Sequence, residues 1–137
     1  MITRRSRARE VALQLLYQRD QNPDIGREAI EAFARQRLKD GAVVPFSLSL
    51  YDGVVAKASE IDPRLNEAAE NWKLQRMAAV DRNVLRLGAY ELLFTPATPT
   101  KVVLDEAIEL ARRYGSADSP AFVNGVLDRL RQAVAPA

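Results

Sequence analysis

R-M-A-A-V-D-R-N-V-L-R-L-G-A-Y-E-L-L-F, residues 76–94, decides how the rest of the chain must be arranged. Met77, Val80, Val84, Leu87 and Glu91 recur at steps of three and four, and so do Ala78, Leu85, Gly88 and Leu92. The two rows are adjacent on a helix, so their apolar members form one broad stripe. Asp81, Arg82 and Arg86 interrupt the apolar run where a helix can turn toward solvent or an ion-pair partner. A helix that is apolar over about half its girth must be gripped by several others. The remaining segments are shorter and amphipathic, which suits a bundle wrapped around this one. Gly88 costs about 1 kcal/mol against Ala in a helix interior. Either a neighbouring helix comes close there or the substitution is simply tolerated.

Working outward, residues 4–20 form a first helix with Ala8, Val11, Ala12, Leu15 and Leu16 as its core stripe, capped by Thr3 or Ser6. Asn22-Pro23-Asp24 is a turn. A second helix follows from Gly26 to Leu38 with Ile30, Phe33 and Ala34 inward, and Asp40-Gly41 ends it. Pro45 opens a third helix to about Ser59, carrying Leu48, Tyr51, Val54, Val55 and Ala58. Asp62-Pro63 reads as an N-cap followed by proline at the first helical position, starting a short fourth helix that ends near Trp72. Lys73-Leu74 is the joint into the central helix. Beyond it, Pro96 and Pro99 bracket a turn. Thr98 or Thr100 caps a sixth helix through Tyr114, with Val103, Ala107, Ile108 and Ala111 apolar, and Gly115 closes it. Ser119-Pro120 opens the last helix, with Phe122, Val123, Val126, Leu127 and Leu130. No period-2 pattern is sustained anywhere. The expectation is an all-α fold of about seven helices, one domain over 1–137, in two small packed bundles (about 1–61 and 62–137) around a long central helix.

A chain of 137 residues suits one domain, and 47% hydrophobic with 28% charged residues is ordinary for a globular protein. No run reaches the roughly 18 apolar residues of a membrane helix. The early arginines precede an amphipathic stretch, which is unlike a signal peptide. Without cysteine there are neither disulfides nor thiolate metal sites, which fits the cytoplasm. Histidine is absent too, which removes imidazole acid–base catalysis, Ser-His triads and His-ligated metals. Neither G-x-x-x-x-G-K nor G-x-G-x-x-G occurs. The acidic residues sit singly among basic ones. No enzyme, cofactor or metal is expected.

Net charge is only +2, but residues 1–10 hold four arginines against one glutamate, a local +3. A local basic patch is the electrostatic footprint of a nucleic-acid binder. Positive charge also opposes the helix dipole at an N-terminus, which argues for use over mere solubility.

Four blocks then carry a resemblance. They are R-R-S-R-A-R-E-V-A-L-Q-L-L-Y (4–17), V-D-R-N-V-L-R-L-G-A-Y-E-L (80–92), D-E-A-I-E-L-A-R-R-Y-G (105–115) and F-V-N-G-V-L-D (122–128). In this order they resemble the NusB family of bacterial transcription antitermination factors. The resemblance implies a non-catalytic, all-helical protein that binds the single-stranded boxA element of ribosomal RNA leaders. It does so with NusE, a small-subunit ribosomal protein, and the complex joins elongating RNA polymerase. It also implies that Arg4, Arg5, Arg7 and Arg9 contact RNA, with Ser6 interrupting a run that some relatives continue. Tyr17 and Asp81 match positions of NusE docking, Asp81 being one methylene shorter than the Glu of some relatives. Asp118 and Phe122 match positions near the RNA and NusE surfaces, and Lys101 is an RNA candidate beside them.

Other readings stay open. Phe122 shares a helix face with Val126 and Leu130 and fits a core. Tyr17 fits a packed aromatic with a wet hydroxyl. Asp118 fits a helix start. Asn124-Gly125 inside a helix hints at close backbone approach. Glu106 and Glu109 fit ion pairs with Arg86, Arg112 or Arg113. Two competitors remain: a homodimeric helical interaction module without an RNA role, and the NusB-like domain that precedes a ribosomal RNA methyltransferase. The end of the chain at Ala137 favours the stand-alone factor over the second.

Overall fold

The computed structural model describes residues 3–134 of the domain expected over 1–137; residues 1, 2 and 135–137 lie outside the described residues. Six α-helices follow in order: α1 (Arg4–Gln21), α2 (Arg27–Arg37), α3 (Val44–Ala68), α4 (Ala79–Phe94), α5 (Thr100–Tyr114) and α6 (Ser119–Val134). Single 3-10 turns at Gly41–Val43 and Leu74–Arg76 lead into α3 and toward α4. No strand occurs among the described residues. The all-helical expectation holds, with six helices in place of about seven.

The missing helix is explained by α3. The expected break at Asp62-Pro63 falls inside this 25-residue helix. An interior proline costs about 3 kcal/mol, because it removes one backbone hydrogen bond and crowds the preceding turn. Here Ile61 and Leu65 are fully buried on either side of Pro63. Each contributes roughly 1.5–3 kcal/mol of burial, so packing outweighs the proline. Pro63 itself faces solvent. The joint expected near Ile61-Asp62 is therefore not a break, and one continuous apolar core runs through all six helices.

The stretch 76–94 is central, as its broad stripe requires. Its helix starts only at Ala79, and it is shorter than α3. α4 packs against α1, α3, α5 and α6. Val84, Leu85, Leu87 and Ala89 are buried on it. Gly88 has a reason: a Cβ there would come within 2.7 Å of Leu127 Cδ1 on α6. Gly53 has a similar one, since its Cβ would meet the Tyr90 ring. Gly125 does not. The nearest atom to its Cβ would be Arg129 Nη1 at 3.6 Å, so the close approach expected at Asn124-Gly125 is absent.

The caps are partly as expected. Thr3 caps α1, its Oγ1 accepting from the Ser6 N–H at 3.0 Å. Neither Thr98 nor Thr100 caps α5, whose N-cap is Pro99 without a side-chain hydrogen bond. Gly115 follows α5 with an ordinary φ of −98°, and its need is space, since a Cβ would strike Ser119 Oγ. At the end of α3, Glu70 takes the left-handed φ of 58°, a conformation that often stops a helix. Arg129 Nε donates to the Ala68 carbonyl at 2.6 Å beside it.

Candidate nucleic-acid and partner interfaces

The four arginines of α1 meet four different fates. Arg4, 73% exposed, pairs with Asp40 at 2.5 Å on the surface. Arg5 is exposed, and its guanidinium carbon lies 4.4 Å over the Phe46 ring. Arg7 donates to Glu10 at 2.5 Å. Arg9 is a correction to the expectation that all four reach RNA, for it is only 3% exposed. Its Nε and Nη2 donate to the two carboxylate oxygens of Glu91 at 2.9 and 2.8 Å, and Nη1 lies 3.5 Å from Glu106. The reason is helix register: Arg9 shares a row with Ala12 and Leu16, which face the core. Burial works against the Arg9 charge, but the hydrogen bond and charge of Glu91, with Glu106, outweigh it and raise its pKa. The signal in the sequence was Glu91, a carboxylate in an otherwise apolar row of α4.

Lys101 stands near the same end of the molecule. It is 84% exposed and pairs with Asp105 at 2.7 Å. One residue on, Glu106 accepts from Ser6 Oγ at 2.5 Å, which joins α5 to the start of α1. Glu10 is buried and takes both Arg7 and Arg113. Glu109 pairs with Arg112 and Arg113, as expected, whereas Arg86 turns instead to Asp62 at 3.0 Å. A layer of carboxylates thus underlies the basic end. Among the described residues no group of His, Cys, Asp or Glu could hold a metal ion.

Asp118 and Phe122 form a second place, at the start of α6. Asp118 is exposed, and its carbonyl accepts from the Phe122 N–H at 3.1 Å in the first helical turn. Phe122 is half-buried and packs against the core, as the core reading expects. Trp72, 58% exposed, meets it edge to face at 6.3 Å between ring centres. In the sequence Trp72 only marks the end of a helical stretch, and nothing there pairs it with Phe122. No hydrogen bond, ion pair or aromatic contact among the described residues joins this pair to the arginines.

Tyr17 and the start of α4 come together. Tyr17 is 46% exposed and lines an open groove with Leu13, Phe33, Val80, Asn83 and Tyr114. Asp81 is one residue beyond Val80. Its Oδ1 is buried and makes no hydrogen bond with any described residue. Below the groove, Asp20 Oδ2 accepts from Arg82 at 2.9 Å and Asn83 at 2.8 Å.

A family model described as the NusB family matches residues 6–132. The transcription antitermination protein NusB of Anaeromyxobacter dehalogenans strain 2CP-1 is 45% identical over 138 residues, covering 100% of this chain and 96% of its own. That of Sorangium cellulosum is 44% identical over 128 residues, covering 93% and 91%. Among solved structures, NusB of T. maritima superposes with a TM-score of 0.85 at 38% identity, covering 99% and 96%. A crystal structure of the antitermination factors NusB and NusE in complex with dsRNA superposes with a TM-score of 0.86 at 28% identity, covering 97% and 99%.

Proposed function

The chain belongs to the NusB family, and on that premise we propose that it is a non-catalytic, RNA-binding transcription antitermination factor. It takes the boxA element of ribosomal RNA leaders together with NusE, and the complex joins elongating RNA polymerase in the cytoplasm. The observation that carries this reading is the full-length likeness to antitermination proteins. The basic start of α1 supports it. Arg4, Arg5 and Arg7 supply phosphate contacts, with Lys101 close by, while Arg9 fixes the helix that carries them. Asp118 and Phe122 give a second contact region. Tyr17 and Asp81 belong to the NusE side, where a donor from the partner would satisfy the buried Asp81 oxygen.

The test is a titration of labelled boxA RNA and a scrambled control across a salt series, with and without NusE. Each phosphate neutralised on a single strand adds about −0.7 to the slope of log K against log[salt], so three contacts give roughly −2. Replacing Arg5 and Arg7 with alanine should flatten the slope by about 1.4. It should also weaken boxA and scrambled RNA alike, since phosphate contacts carry no sequence information. An unchanged slope and affinity would remove this end of α1 from the interface. Asp81→Lys should weaken NusE binding by about tenfold or more while leaving the fold intact. A structural neighbour holds double-stranded RNA, so a duplex of the same sequence belongs in the titration. Sedimentation of the free protein addresses the homodimer.

A further inference from the structure

Arg5 is the one arginine of the basic start whose charge meets no carboxylate among the described residues; Arg4, Arg7 and Arg9 each have one. What it has instead is Phe46, with the guanidinium carbon 4.4 Å over the ring. Arg9 reaches the same ring at 5.3 Å, but its charge is taken up by Glu91 and Glu106. Phe46 is firmly seated. It lies in the first turn of α3, half-buried and packed against the core. The next residue, Ser47, donates a buried 2.8 Å hydrogen bond to the Ala8 carbonyl, which ties the start of α3 to α1 beside Arg5.

On the reading that this end of α1 meets RNA, we propose that Phe46 is a positioning residue that holds Arg5 as a stacking platform for an unpaired base. A bare phosphate contact needs only a charge on a flexible arm. A guanidinium backed by a fixed aromatic ring has given up part of its freedom before binding, which lowers the ordering cost of the complex. Guanidinium is weakly hydrated and stacks well, and Arg5 is exposed, with Phe46 covering one side of its guanidinium. Single-stranded RNA offers unstacked base faces that a duplex hides. The uncompensated charge of Arg5 draws a polyanion to that face, and the ring behind it makes the contact sensitive to a base as well as to a phosphate.

Two substitutions keep charge and bulk but remove one partner's plane. Phe46→Leu removes the ring, and Arg5→Lys removes the planar cation. Each should lower affinity for single-stranded boxA RNA about three- to tenfold. The salt slope should stay unchanged in both, because no charge is lost. Combined, they should lose little more than either alone, since they break one unit. On an abasic RNA of the same length, Phe46→Leu should make no difference. Phe46→Tyr keeps the ring and should bind as the parent does. Unaltered affinity in Phe46→Leu, multiplied losses in the double variant, or an equal loss on abasic RNA would overturn the proposal. So would a loss in Phe46→Tyr as large as in Phe46→Leu, which would make the effect one of packing. Alanine at Arg4, Arg5 and Arg7 together separates the two levels: if that variant changes neither affinity nor slope, RNA contact at this end of α1 fails altogether, whereas an effect there without one in Phe46→Leu sinks only the stack.

Discussion

Arg9 follows Ala8 and precedes Ala12 by three residues, so its side chain enters the core, and Glu91 is what makes that tolerable. Removing one partner of a buried pair leaves the other charge without compensation, at a cost of about 3–5 kcal/mol. Arg9→Ala should therefore lower stability by that order in urea unfolding. Arg9→Met with Glu91→Leu should come out near neutral, because well-packed apolar groups replace a buried ion pair without its desolvation cost. A loss below about 1 kcal/mol in Arg9→Ala would mean that water reaches the pair. Arg5→Ala, with its side chain in solvent, should barely move the same midpoint. The four arginines look alike in the sequence. What separates Arg9 from the rest lies 82 positions away, which is why its role was not legible there.

Between elements, the glycines in helix interiors make the sharpest contrast. A methyl at Gly88 runs into the tip of Leu127, which is fully buried and has to shift within a packed core to make room. Overpacking costs about 1–3 kcal/mol, and the better helix propensity of alanine returns about 1 of it. Gly88→Ala should thus destabilise by up to about 2 kcal/mol. Gly125 meets only the tip of Arg129, so Gly125→Ala should stabilise by about 0.5–1 kcal/mol. Paired thermal melts would show the opposite signs, and equal shifts would refute the packing argument. Helix existence and the buried faces were legible because apolar residues recur at the helical period: Val11, Leu15, Val84, Leu87 and Leu127 all lie in the core. The join at Asp62-Pro63 was not, because the burial of Ile61 and Leu65 that overrides the proline is a tertiary fact. Of the candidate site only exposure can be compared with the sequence: Arg4, Arg5, Tyr17 and Lys101 are exposed, whereas the ring contacts of Phe46 and Trp72 join residues far apart in the chain and leave no local pattern.

Across the whole molecule, charge ties distant helices together: Arg9 to Glu91, Asp20 to Arg82 and Asn83, and Asp62 to Arg86. Asp20 gives these ties a pH dependence. Burial alone would raise its carboxyl, but hydrogen bonds from Asn83 and Arg82, with the charges of Arg82 and Arg86, hold it below the ordinary 3.8. A carboxylate depressed in the folded state stabilises fully above its unfolded value, and that stability is lost as pH falls through the folded one. The fold should hold its strength at neutral pH and weaken below about pH 4. Asp20→Asn should be less stable at pH 7, by about 1–3 kcal/mol, yet lose less on acidification. Urea unfolding at both pH values checks this, and equal acid sensitivity in the two proteins would shift the effect to other carboxylates.

Trp72 is the chain's only tryptophan, and it stands more than half in water with its edge against Phe122. Excited at wavelengths too long for its four tyrosines, the molecule reports from a single spot near its surface. An indole already more than half in water has less burial to lose when the helices melt than one in the core, whereas circular dichroism follows the loss of every helix. Whatever settles over Phe122 touches that one lamp directly. The protein carries its own dye beside the start of α6, placed to notice its company more than its collapse.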